Sequence, residues 1–148
     1  MSQNNNESCI AICNSLLAGE ISAVETYGQA IEKFAGEITC DTLNHSRDRH
    51  AENVAKLREN VVQMGGEPAT DSGLWGEFAK TIEGAAKLLG KTAALGALQA
   101  GEKHGHNEYE SALESDDVMP ECKLMIRNEL LPKIERNQEL LAKLQDIQ

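Results

Sequence analysis

Aromatic side chains are scarce. Two Phe, two Tyr and one Trp make up 3% of 148 residues, which argues against a deep aromatic-walled substrate pocket. Positive charge is also short: 14 Lys and Arg stand against 24 Asp and Glu, for a formal net charge of -10. Phosphate backbones and anionic lipid are repelled by that balance, and no basic stripe offsets it. Direct nucleic-acid binding is disfavoured. No apolar run approaches 18 residues, which argues against a membrane span. The opening MSQNNNES lacks the cationic and apolar stretches of a secretory signal, so a cytoplasmic location is expected. Paired CxxC zinc spacing, GxGxxG and GxxxxGK[ST] nucleotide loops and a nucleophile elbow are all missing. Cys9 and Cys13 lie four apart, on one helix face, as suits packing. Free buried thiols are the expectation for them and for Cys40 and Cys122.

What remains is helix-forming sequence, rich in Leu, Ala, Ile, Glu and Lys. After a polar tail at 1–7, a domain over 8–148 is expected. Apolar residues step by three and four through four long segments. The first, about 8–35, carries Cys13, Leu17, Glu20, Val24, Tyr27, Ile31 and Phe34 on one stripe. The second, about 39–64, carries Leu43, His50, Val54, Leu57, Val61 and Met64. Gly65-Gly66-Glu67-Pro68 stops it, because glycine accepts the left-handed cap and proline cannot continue a helix. The third, about 92–114, aligns Leu95, Leu98, Glu102, His106, Tyr109 and Leu113. The fourth begins at Pro120, runs to about Leu144 and should kink at Pro132. Between the second and third segments, Trp75, Phe78 and Ile82 predict a short amphipathic crossover helix over 74–89. Four long helices around one core make an all-α four-helix bundle, and the crossover fits the ferritin-like connectivity.

An internal repeat relates the two halves. Ala18-Gly19-Glu20 is followed by Tyr27, and Ala100-Gly101-Glu102 by Tyr109 at the same spacing. His50 and Asn137 hold equivalent places in the second and fourth segments. Glu20, His50, Glu102 and His106 are therefore candidates to converge inside the bundle. A buried carboxylate must be paired, protonated or bound to a metal. Carboxylate with imidazole suits iron, manganese or zinc. In the competing reading the layer is a satisfied structural one, with Glu20 paired to Arg47 and Glu102 to a histidine or Tyr27. Gly19, Gly96, Gly101 and Gly105 are expected to let helices approach closely.

Gly19-Glu20, the helix end Val61-Val62-Gln63-Met64-Gly65-Gly66-Glu67-Pro68, the Trp75 crossover and Gly101-Glu102 with Tyr109 together resemble an uncharacterised bacterial family of the ferritin-like superfamily. The resemblance spans about residues 9–145. Ferritin-like diiron proteins place a glutamate on two helices and Glu-x-x-His on the other two. By that resemblance Glu20 and Glu102 are the lone glutamates and His50 one histidine. Arg47, Ile134 and Asn137 stand where other ligands would fall. The resemblance thus implies a metal site of low nuclearity, with His106 compensating in part. It also implies a homo-oligomer. A non-catalytic interaction or stress-associated bundle is the alternative.

Overall fold

The structure, a computed structural model, describes residues 2–72 and 90–147. The crossover helix expected over 74–89, with Trp75, Phe78 and Ile82, lies outside the described residues. Those described are all-α, with no strand among them.

Helix α1 spans Ser2–Ile31 and ends in a 3-10 turn, Glu32–Phe34. It begins before the expected Ser8, so residues 2–7 extend it where a polar tail is expected. That segment holds no proline or glycine, and Asn6 Nδ2 donates to the Met64 carbonyl at 2.8 Å. Gly36, at φ +83, turns the chain into α2, Ile38–Gln63. At its far end Gly65 adopts φ +87. The Gly66 amide bonds to the Val61 carbonyl at 2.9 Å and the Gly65 amide to that of Val62 at 3.0 Å. This pair of bonds satisfies carbonyls the helix end would leave open. Asn14 of α1 then clasps the loop, donating to the Glu67 carbonyl at 2.9 Å and accepting from the Ala69 amide at 2.8 Å.

Helix α3 spans Lys91–Glu114. The last helix comes in three pieces: α4, Pro120–Met125; a π turn, Ile126–Leu130; and α5, Leu131–Ile147. Pro120 occupies the first turn, where its missing N–H costs nothing. Pro132 has no N–H for the helical ladder, and the wide turn directly before it accommodates the interruption.

Two apolar clusters fix the helix directions. One gathers Cys9, Cys13 and Leu17 from the start of α1, Leu57 and Val61 from the end of α2, Tyr109 and Ala112 from the end of α3, and Cys122 and Ile126. The other gathers Phe34, Leu43, Ala94, Leu95, Leu98, Leu141 and Leu144 from the opposite ends. So α1 runs against α2 and α3 and along the fourth helix. Helices α2 and α3 are parallel, and the chain between them joins opposite ends of the bundle. An ion pair from Lys91 to Glu37 ties the start of α3 to the start of α2.

Within Asn6–Phe34 an 18-residue window reaches mean hydropathy 1.2, long and apolar enough by composition to cross a membrane. This corrects the expectation drawn from run length, because scattered small polar residues shorten the runs without lowering the mean much. The same apolarity seats α1 in both clusters, with Glu20 buried between them.

Candidate functional site

Between the two clusters lies a polar layer drawn from three helices. His50 of α2 stands between Glu20 of α1 and Glu102 of α3. Its Nδ1 meets Glu20 Oε1 in a short contact, and its Nε2 is 2.8 Å from Glu102 Oε2. Tyr27 donates to Glu102 Oε2 at 2.5 Å, and Tyr109 to Glu20 Oε2 at 2.5 Å. The repeat is therefore crossed: each tyrosine serves the glutamate of the other helix. Both pairs satisfy one register, since in antiparallel helices every step forward on α1 is a step back on α3. Asn53 of α2 adds a bond to Glu20 Oε2 at 2.8 Å and reaches the Leu130 carbonyl of the π turn at 3.2 Å. Glu20, His50 and Glu102 are only 2–3% exposed, so this chain of bonds replaces water.

Electrostatics follow from that burial. Burial by itself would favour neutral imidazole, yet the charges and hydrogen bonds of Glu102 and Glu20 outweigh it and raise the His50 pKa to about 10. At neutral pH His50 is an imidazolium donating one N–H to each glutamate. Burial, then the neighbouring carboxylate, holds both phenols well above their ordinary pKa, so they stay donors. Glu102 Oε1 and Asn53 Oδ1 are buried without a hydrogen-bond partner among the described residues.

Two adjoining cavities of about 30 Å³ each open onto the layer between α1 and α3. Both are lined by Gly19, Ala23, Gly101, His50 and Glu102. Each has room for one water or one small ion. Among the described residues, a Cβ added at Gly101 or Gly105 would meet nothing within 4 Å, and one at Gly96 only the Gln145 amide at 3.8 Å. These three glycines thus do not bring backbones together, contrary to expectation. Those at 101 and 105 leave the cavities their space.

Three of the four sequence candidates converge, and His106 does not. It is partly exposed and lies 3.4 Å from Glu135 and 3.8 Å from Glu110. At about 100° per residue, a step of four turns it about 40° to one side of Glu102, whereas Tyr109 lies about 20° to the other. The buried arc, with Ala94, Leu98 and Ala112, follows the Tyr109 side. Arg47 does not pair with Glu20: its Nη2 donates to Asn44 Oδ1 at 3.2 Å, and Tyr109 and Asn53 serve the carboxylate instead. Asn137 is buried but turns to α2, where its Nδ2 reaches the Ser46 carbonyl at 3.3 Å and its Oδ1 accepts from Arg49 at 3.2 Å.

A second cluster escaped the sequence reading. Cys122, in the first turn of α4, joins Cys9 and Cys13, and the three sulfurs lie within 4.8 Å of one another. Cys9 Sγ donates to Cys122 Sγ at 3.5 Å, and the side-chain amide of Asn60 is also 3.5 Å from Cys122 Sγ. A hydrogen bond from Cys13, then one from Cys9, lowers the Cys122 pKa to about 6 against the burial that opposes it. Cys13 is pushed far up by its bond to Cys122 and by burial. Three buried sulfurs so placed could hold a metal ion. Cys9 and Cys13 were visible as a pair four residues apart. No spacing rule reaches Cys122, over a hundred residues away.

Residues 8–115 match the family described as Domain of unknown function (DUF2383). The chain belongs to that family. No curated protein and no solved structure matches it.

Proposed function

We propose that this is a ferritin-like bundle protein that takes up one transition-metal ion at the Glu20–His50–Glu102 layer, in a storage or sensing role. The observation that carries the reading is Glu102 Oε1. It is a buried carboxylate oxygen without a hydrogen-bond partner among the described residues, on a side chain that lines both cavities. Leaving such an atom unsatisfied costs about 1–3 kcal/mol or more. A cation offsets that cost directly. Two carboxylates and an imidazole are a borderline donor set, suited to iron(II), manganese or zinc. When bound, the ion would supply a positive charge in place of the proton His50 carries. Tyr27 and Tyr109 would hold the carboxylates in orientation, as outer partners of metal ligands do. The parallel α2 and α3 support the ferritin-like reading.

Low nuclearity follows from the fourth helix. Ile134 and Asn137 are both buried there, and neither offers an anionic ligand. A full diiron centre, and oxidase chemistry with it, has no support.

A second reading rests on a different observation. Both ring nitrogens of His50 already face a carboxylate, so a protonated His50 satisfies the layer as it stands. Such a layer would set helix register without binding anything. Anaerobic calorimetric titration with iron(II), manganese and zinc separates the two. The metal reading expects one ion per chain in wild type, lost in Glu102→Gln with helicity retained and kept in Cys122→Ser. Wild type that binds none of the three, or Glu102→Gln that binds as tightly, supports the structural layer instead. A cytoplasmic homo-oligomer is part of the proposal.

A further inference from the structure

We propose that Cys9, Cys13 and Cys122 form a separate site for one soft monovalent d10 ion, cuprous copper. The donor set is the first reason. Three sulfurs converge, with no carboxylate or imidazole among the three ligand residues. Thiolate sulfur selects cuprous copper, zinc or iron–sulfur clusters over hard cations.

Coordination number is the second reason. Structural zinc takes four ligands, and zinc with three protein ligands keeps water or substrate on the fourth position. Here Cys9, Cys13 and Cys122 are 0%, 0% and 2% exposed, inside the apolar cluster of Leu16, Leu17, Leu57, Val61 and Ile126. Solvent has little place there. Asn60 Oδ1 lies 3.5 Å from Cys122 Sγ, and a neutral amide oxygen is a poor fourth ligand for a closed zinc site. Cuprous copper is complete with three sulfurs in a plane.

Geometry is the third. With metal–sulfur distances of about 2.3 Å, a trigonal site spaces its sulfurs about 4 Å apart. The cluster has one pair at 3.5 Å and all pairs within 4.8 Å. Rotamer adjustments of well under 1 Å therefore close it about an ion. Cys9 and Cys13 sit one turn apart on α1, and Cys122 comes from the first turn of α4. An ion held there would staple the first helix to the last.

The site is chemically distinct from the glutamate–histidine layer. Cys13 and Glu20 are seven residues apart on α1, about 10 Å along the axis. Failure of one proposal therefore leaves the other standing.

The test is anaerobic titration of the full reduced chain with cuprous ion against a chromogenic cuprous chelator. Wild type, Cys40→Ser and Glu102→Gln should each withdraw one ion per chain and develop sulfur-to-copper charge-transfer absorption. Cys9→Ser, Cys13→Ser and Cys122→Ser should each weaken retention by about 100-fold or more, at least the cost of losing an outer-shell partner. X-ray absorption on the copper-loaded wild-type chain keeps the proposal open to refutation if a serine variant fails to fold: three sulfur neighbours and no nitrogen or oxygen are expected. Wild type that withdraws no copper from the chelator, an oxygen or nitrogen ligand in the absorption spectrum, or equal loss in Cys40→Ser would overturn it. So would stoichiometric zinc retention without copper retention.

Discussion

Raising the pH should loosen the bundle through one residue. His50 has an ordinary pKa of 6.5 and a folded value of about 10. Below pH 6.5 it is protonated in both the folded and unfolded chains, and its stabilisation is fully present. Between 6.5 and 10 the folded chain holds a proton that the unfolded chain has lost. Stability must then fall as pH rises, by up to about 1.4 kcal/mol per pH unit. Across the whole window the loss amounts to about 5 kcal/mol, comparable with the total stability of many domains. His50 is buried, so solvent screening does not reduce that figure.

Other groups titrate in the same range. Cys122 acts in the opposite sense, because its folded pKa of about 6 lies below its ordinary 9.0 and favours the folded state as pH rises. The informative quantity is therefore the difference between wild type and His50→Gln, which share every other group. Urea unfolding followed by circular dichroism, in chelator, from pH 6 to pH 9.5, gives it. The stability difference should shrink by about 1 kcal/mol per pH unit above pH 7. A difference that stays flat across this range would refute the imidazolium between two glutamates.

Three further outcomes follow from the geometry. In double-mutant cycles, Tyr27→Phe should couple to Glu102→Gln by about 1 kcal/mol or more and Tyr109→Phe to Glu20→Gln likewise, with smaller coupling for the same-helix pairs; equal couplings would contradict the crossed pairing. Gly66→Ala should destabilise by about 1–3 kcal/mol, because the new Cβ would fall 2.6 Å from Ile10 Cγ2, and Ile10→Ala in the same chain should make the added methyl less costly, as thermal unfolding would register. His106→Ala should leave any metal uptake at the layer unchanged, since its ring lies against Glu135 and Glu110; calorimetric loss comparable to that of Glu102→Gln would return His106 to the site.

The legible part of this molecule was the part written in local periodicity. Period and breakers sufficed for the helices, because each stripe and each Gly-Pro stop acts within a few residues. The Gly65-Gly66 cap is the clearest case: its two hydrogen bonds are local to one helix end. The convergence of Glu20, His50 and Glu102 was legible too, since all three interrupt apolar stripes. What periodicity could not supply was angle. His106 and Tyr109 both count as neighbours of Glu102 on a helical wheel, and a rotation of a few tens of degrees sends one outward and the other inward. The start of α1 was obscured for a related reason. Asn6 reads as tail composition until its bond to Met64 at the far end of α2 is seen.

Long-range convergence was the other blind spot, and it explains why the thiol cluster was missed when the tyrosines were not. Tyr27 and Tyr109 belong to a repeat, so finding one pointed to the other, and an antiparallel register carries both to a glutamate at once. Cys122 has no repeat partner. Its neighbour in the register is decided by the direction of the fourth helix, which depends on the connection between α2 and α3 joining opposite ends of the bundle. With that connection, the start of α1 and the start of α4 share one end, and Cys9, Cys13 and Cys122 meet. An up-down-up-down order would leave the fourth helix running against α1 and place Cys122 among Phe34 and Leu43. The thiol cluster is thus a consequence of topology, and the glutamate–histidine layer lies near the middle of the bundle, where helix direction matters less than register.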